Sequence, residues 1–333
     1  MRIAIVKLSA LGDIVQAMVV LQFIKTFNQK IVVDWFVEES YKELLVNHPH
    51  VNEVYVLNFK KVKRKKSLFM LLDELSKVRH IESYDVVIDM QGLIKSAIVS
   101  RLIPSEKTFG FDKKSIRESL AARFYTHKIQ VDYAENIIKR NIILISKALE
   151  LSNINNSLID KKPYLFSDKN YFIKSGTITK HKILLIPGAS FETKSYPIEK
   201  FAKFANKIDA NFFVIWGNNN EKLMVKKLQS LSSNVQIIDK LPLNELISFI
   251  SQMNLVVGSD TGPTHIAWAL NVPSITLFGP TPGPRNSFET SINKYIESNS
   301  KVNPLKINKN DQSIKHISVE DIVKMARYLL KVN

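Results

Sequence analysis

The sequence predicts an α/β protein made of two doubly wound, Rossmann-like domains facing a cleft. Short apolar runs alternate with helix-spaced segments along the chain. The runs are apolar throughout rather than at every second position, which is the pattern of parallel strands covered on both faces. The alternation stops near residue 151, crosses a polar stretch and restarts near residue 182, so the pattern is written twice. With 333 residues the chain is long enough for two domains of ordinary size.

In the first half, Ile3–Val6 reads as the opening strand and Gly12–Phe27 as the helix after it. Ile31–Val37, Val51–Val56 and Tyr84–Asp89 are further strands. Leu68–Val78 has helical spacing through Leu71, Leu72 and Leu75; Leu93–Leu102 and Asn136–Leu151 are also helical. The polar stretch Ser152–Lys180 reads as a linker. Beyond it, Lys182–Ile186, Phe212–Trp216, Val235–Ile238, Leu255–Gly258 and Ser274–Leu277 are strands. Helices are expected over Pro197–Ile208, Glu221–Leu231, Leu243–Met253, 263–270 and Val319–Leu330. Two such domains place the carboxyl ends of their first strands toward a cleft, and open α/β sheets bind ligands at that edge.

Composition narrows the function classes. There is no cysteine, which excludes disulfides, thiolate zinc sites and cysteine nucleophiles. Apolar stretches such as Ala17–Leu21 are too short to span a bilayer, and Lys7 and Asp13 interrupt any signal-peptide core, so a soluble cytoplasmic protein is expected. The net charge is +16. Residues 1–150 hold 24 Lys and Arg against 17 Asp and Glu, and residues 151–333 hold 23 against 14, so the excess is no basic tail. Such a balance suits nucleic acid, an anionic membrane surface or phosphorylated substrates; a Lys-rich proteome would also produce it.

Four loops can carry chemistry. Gly258–His265 lies between a buried strand and a helix, where free N–H groups and a positive dipole end suit a phosphate. In it, Asp260 can cap the helix, Thr261 and Gly262 can donate N–H groups to a diphosphate, and Pro263 suits the first turn. His265 is either structural or a neighbour of the anion. Lys7–Ile14 is neither a dinucleotide fingerprint nor a P-loop. Its Gly12 permits close approach, and its Asp13 is either a helix cap or an ionised carboxylate able to act as a general base. Pro187–Pro197 offers Gly188, Ser190 and Lys194, the last a point charge for a phosphate or an ordinary solvated lysine. In Trp216–Glu221, Glu221 can accept from vicinal ribose hydroxyls or simply favour a helix start. No Asp-x-Asp occurs and no His/Asp/Glu cluster has metal-ligand spacing, so neither a metal nor another cofactor is expected.

The run Lys60–Lys66 holds six cations in seven residues. It is either a solvated charge run or a loop gripping the phosphates of an anionic lipid head group; a nucleic-acid patch lacks interleaved aromatics. Arg117 and Arg123 can extend that patch.

The start Met1–Asp13, with Asp89–Ser96 and Ser259–His265, resembles the bacterial lipopolysaccharide heptosyltransferases over nearly the whole chain. Asp-Thr-Gly-x-x-His is the most family-specific part. The Lys-x-Ser-x-x-Gly-Asp start, the basic run and Ser-Ile-Arg-Glu look most like the members that add the first heptose. The resemblance implies a glycosyltransferase B fold, with residues 1–165 binding the acceptor, 166–317 binding the nucleotide sugar, and 318–333 a helix that packs back on the first domain. It implies ADP-heptose as donor, Kdo-lipid A as acceptor and inversion at the transferred carbon. Asp13 is then the general base. Ser190, Lys194, Glu221, Asp260, Thr261, Gly262 and His265 hold the donor. Ser9, Gly12, Lys61, Lys63, Arg64, Lys66, Gln91 and Arg117 face the acceptor. The chain departs from the family where Ser190 replaces a threonine and Ala189 a preceding hydroxyl. The implied place is the inner face of the inner membrane, as a peripheral protein. The alternatives are a member adding the second heptose, a B-fold nucleotide-sugar epimerase and, outside enzymes, a basic nucleic-acid-binding protein.

Overall fold

Ile3, Ala4, Ile5 and Val6 are wholly buried, and a strand apolar on both faces is stable only at the middle of a covered sheet. In the computed structural model, which describes residues 1–151, 161–172 and 180–332, these residues form β1 (Arg2–Val6). The chain continues through α1 (Leu11–Met18), α2 (Val20–Phe27), β2 (Val32–Glu38), β3 (Glu53–Leu57), α3 (Phe59–Lys65) and α4 (Leu68–Lys77). β4 (Val86–Asp89), α5 (Ile94–Leu102), β5 (Thr108–Phe111), β6 (His127–Ile129) and α6 (Ile137–Ala148) complete the first unit, Met1–Tyr164. Its sheet is parallel in the order β3-β2-β1-β4-β5-β6.

The second unit, Leu165–Asn333, repeats the plan. Its elements are β7 (Lys182–Ile186), α7 (Ile198–Ala205), β8 (Asn211–Val214), α8 (Asn219–Leu231), β9 (Val235–Ile237) and α9 (Leu243–Ser251). Then come β10 (Leu255–Ser259), α10 (Gly262–Ala269), β11 (Ser274–Phe278), α11 (Gly283–Asn286), β12 (Asn293–Glu297) and α12 (Val319–Val332). The order β12-β11-β10-β7-β8-β9 is again all parallel. Counted from its own first strand, each sheet runs third, second, first, fourth, fifth, sixth. In each the order reverses between the first strand and the fourth, at β1/β4 and at β7/β10, where a doubly wound sheet opens a crevice at its carboxyl edge.

Three differences from the sequence expectations have physical causes. The helix expected over Gly12–Phe27 is two helices meeting at Val19, which itself stays in the right-handed helical region. The basic run is no loop: it is α3, held because Phe59 and Val62 bury one face at i, i+3 while Lys63, Arg64 and Lys65 complement the negative end of the helix dipole. Strands β5, β6 and β12 carry too few apolar residues, or too many polar ones, to show a strand pattern. The linker expected over Ser152–Lys180 lies largely outside the described residues.

The terminal helix α12 buries Ile322, Val323, Ala326 and Leu329 in the core of its own unit, with Phe201, Ile275 and Leu277. A buried aliphatic side chain contributes about 1.5–3 kcal/mol, so this face anchors the helix there. The sequence expectation sent this helix back to the first domain; its buried stripe belongs instead to the second. Among the described residues, no helix is long and apolar enough to cross a membrane.

Candidate active site

Both switch points are lined by the loops that stood out in the sequence. In the second unit, β10 ends at Ser259 and the chain turns through Asp260 into α10. Gly258 has no room for a side chain: an added Cβ would lie 2.7 Å from the Ile186 Cβ and 3.0 Å from its carbonyl oxygen. This close packing sets the turn tightly against the end of β7. Thr261, not Asp260, is the N-cap residue of α10, and no side chain caps the helix. The first-turn N–H groups therefore remain available to an anion, with the dipole behind them.

The carboxylate of Asp260 turns instead toward four donors. Lys194 Nζ donates to Oδ2 at 2.7 Å, Thr281 Oγ1 at 3.1 Å and Asn286 Nδ2 at 3.3 Å. His265 Nε2 lies 3.0 Å from Oδ1. Burial pushes this carboxyl up, but the Lys194 ammonium and the His265 hydrogen bond outweigh it and hold Asp260 well below the usual carboxylate range. Desolvating an ion costs several kcal/mol, and only close opposite charge with satisfied lone pairs offsets that. Asp260 is thus a hub that fixes Lys194 and His265 beside the open end of α10. Thr281 and Asn286 were missed in the sequence. Their signal was the dense turn Gly279–Pro284 after the apolar run Ser274–Leu277, which marks a carboxyl-edge loop on the strand next to β10.

Glu221 and the Pro187–Pro197 loop also come together. Glu221 accepts from the Gly217 N–H at 2.6 Å and from Asn218 Nδ2 at 2.7 Å, while Asn218 Oδ1 accepts the Glu221 N–H and caps α8. Its carboxyl presses on Gly188, where an added Cβ would lie 2.4 Å from Glu221 Cδ. Ser190 is exposed beside them. The loops after β7 and β8 therefore form one edge with Lys194 and Asp260.

In the first unit the loop after β1 is positioned from β4. Gln91 Oε1 accepts from the N–H groups of Leu8 at 2.7 Å and Ser9 at 3.1 Å. Gln91 is itself held because Asp89 accepts its N–H at 2.8 Å, along with those of Gly92 at 3.2 Å, Ser96 Oγ at 2.8 Å and Tyr125 OH at 2.7 Å. Tyr125 reaches Asp89 because Gly110 leaves space: a Cβ there would sit 2.3 Å from the ring. Burial pushes Asp89 up, and its neutral donors only partly oppose that. Asp13 stands on the first turn of α1, exposed, with Oδ2 accepting the Ala10 N–H at 3.2 Å. It therefore caps the helix start while its carboxylate stays open to solvent. Gly12 precedes it on the same turn, and Ser9 Oγ lies 3.5 Å from Gln91 Nε2.

The remaining acceptor candidates lie to either side. Lys61, Lys63, Arg64 and Lys66 are exposed on and just after α3, beyond β3; Arg117 is exposed after β5. Each of those strands is two places from β1 in the sheet, about 10 Å of strand spacing. Among the described residues, no group of three or more His, Cys, Asp or Glu is placed to hold a metal ion.

The family model of glycosyltransferase family 9 (heptosyltransferase) matches residues 75–316. Lipopolysaccharide heptosyltransferase 1 of Campylobacter coli is 42% identical, with 99% of each chain covered. The protein of that name from Escherichia coli K12 is 28% identical over 84% of this chain and 88% of its own. Among solved structures, E. coli heptosyltransferase WaaC with ADP superposes with a TM-score of 0.80 at 22% identity, covering 99% of this chain and all of that one. That likeness establishes the same two-domain fold.

Proposed function

The chain belongs to glycosyltransferase family 9, the heptosyltransferases, and from that premise we propose that it transfers L-glycero-D-manno-heptose from ADP-heptose to the Kdo of Kdo-lipid A. The supporting observation is the Lys194–Asp260–His265 cluster beside the uncapped start of α10, whose charge and N–H groups suit a diphosphate. Identity of 42% over the full length of a heptosyltransferase 1 favours addition of the first heptose. A heptosyltransferase 2, from Haemophilus ducreyi, is 24% identical over 84% of this chain.

The two units divide the reaction. The second holds ADP-heptose, its diphosphate on the Gly262 N–H and α10 dipole beside Lys194, its ribose hydroxyls on Glu221, with Ser190 on the same edge. The first supplies Asp13. Its carboxylate takes the proton of a Kdo hydroxyl while that oxygen bonds to the anomeric carbon of heptose. The bond from that carbon to the β-phosphate oxygen breaks, its electron pair leaves with ADP, and the configuration inverts. Charge grows on the departing phosphate beside Lys194 and the start of α10, where a well-placed donor contributes about 3–4 kcal/mol. His265, tied to Asp260, positions rather than reacts. Ser9, Gly12, Gln91, the α3 cations and Arg117 face the acceptor, whose lipid places the reaction at the inner face of the inner membrane.

Incubation with ADP-heptose and Kdo-lipid A, followed by mass spectrometry, tests this. A product heavier by one heptose residue is expected. Transfer only to an acceptor already carrying one heptose would reassign the step, and free sugar without transfer would favour an epimerase.

A further inference from the structure

Three apolar side chains stand in water at the start of α4: Leu68 is 67% exposed, Phe69 87% and Leu72 55%. They do not hold the helix in place, because Leu71 and Leu75 on its other face already pack on the core with Phe59 and Val78. The helix start is fixed, with Ser67 Oγ accepting the Met70 N–H at 3.3 Å. The turn before it is equally defined, since Lys66 sits at φ 49°, in the left-handed region. An exposed apolar turn therefore adjoins a cationic helix. On α3 and its cap, Lys61, Lys63, Arg64, Lys65 and Lys66 are exposed, and none has an acidic partner among the described residues. Lys60 alone is tied down, by Ser40 Oγ and Tyr41 OH.

Cations beside exposed aliphatic and aromatic groups match the layered chemistry of one partner, a bilayer whose phosphate head groups overlie acyl chains. A single-stranded nucleic acid would use the cations and Phe69 but has no place for Leu68 and Leu72. We propose that the α3–α4 hairpin docks the enzyme on anionic bilayers, its cations among the head-group phosphates and Leu68, Phe69 and Leu72 in the acyl layer. This deepens the reading that the acceptor is a membrane lipid, but binding itself requires no acceptor.

The test is sedimentation with phosphatidylglycerol–phosphatidylethanolamine vesicles that contain no Kdo-lipid. Wild type pellets with the vesicles. Phe69→Ser with Leu72→Ser lowers partitioning about tenfold. Replacing Lys61, Lys63 and Arg64 with Gln lowers it roughly a hundredfold at low salt, and less as salt rises. Phe69→Trp adds emission that shifts blue on vesicles and is quenched by lipids brominated on their chains. Unchanged partitioning of the serine variant, an unquenched tryptophan, absence of wild-type binding, or tighter binding to single-stranded RNA each overturns the proposal. With transfer as readout, the serine variant loses rate on vesicle-embedded acceptor and keeps it on O-deacylated acceptor; equal loss on both overturns insertion. Vesicle binding as described with no transfer to either acceptor would sink the heptosyl-transfer reading instead.

Discussion

Asp89 and Asp260 occupy corresponding places in the two halves, one ending the fourth strand of its sheet and the other following directly on it. Both are buried, yet they are displaced in opposite directions. Asp89 meets hydroxyls and backbone N–H groups, and burial wins; Asp260 meets an ammonium and an imidazole, and the charge wins. The fold supplies the same position twice and the neighbours decide its electrostatics. The half proposed to hold the diphosphate has a cation, Lys194, at that aspartate. The first half keeps Asp13, its proposed base, out in solvent and uses the buried aspartate to hold the Gln91 loop.

The sharpest way to break this contrast is Asp13→Ala. General-base loss should cut kcat by about 10²–10⁴-fold, while calorimetric titration with ADP shows unchanged affinity. A near-normal rate would remove Asp13 from the chemistry. Next comes Lys194→Met, which strands Asp260 as a buried charge without its ammonium. Denaturant unfolding should lose about 3–5 kcal/mol, with ADP affinity falling as well; the same change at exposed Lys222 should cost little. Tyr125→Phe removes one donor from Asp89 and should cost about 1–3 kcal/mol. It should also slow turnover through the Gln91-held loop, with donor affinity untouched, and an unchanged kcat would restrict Asp89 to a structural role.

The smallest effect is in pH. Asp260 has its folded value below the unfolded one, so it contributes stability that is fully present above the ordinary carboxylate range. That contribution is lost as pH falls below about 4, toward the folded value. The stability gap between wild type and Asp260→Asn should therefore narrow on acidification over that interval. A constant gap would mean that Lys194 does not govern this carboxyl.

The strands were legible where apolar runs were long, as at Ile3–Val6 and Leu255–Gly258, because burial on both faces leaves a local signature. The edge strands β6 and β12 left none, since edge positions tolerate polar residues. The helical state of Lys60–Lys65 was hidden for a related reason: only Phe59 and Val62 are buried on α3, and two apolar residues make no visible period. Site residues were legible where a turn type required them, as with Gly262 and Pro263 at a helix start. Gln91 was legible as a residue of the first loop's surroundings, but not the hold of its side-chain carbonyl on the Leu8 and Ser9 N–H groups, which lie 83 and 82 residues earlier in the chain.

The sequence by itself determined that the chain would wind twice into a parallel α/β sheet and that Asp13 and the Asp260 turn would close strand ends, because apolar period and turn chemistry act over a few residues. Only the tertiary structure decided what Asp260 would do. Its partners Thr281, Asn286 and Lys194 lie 21, 26 and 66 residues away in the chain, and only sheet order brings such distant donors within reach of one carboxylate.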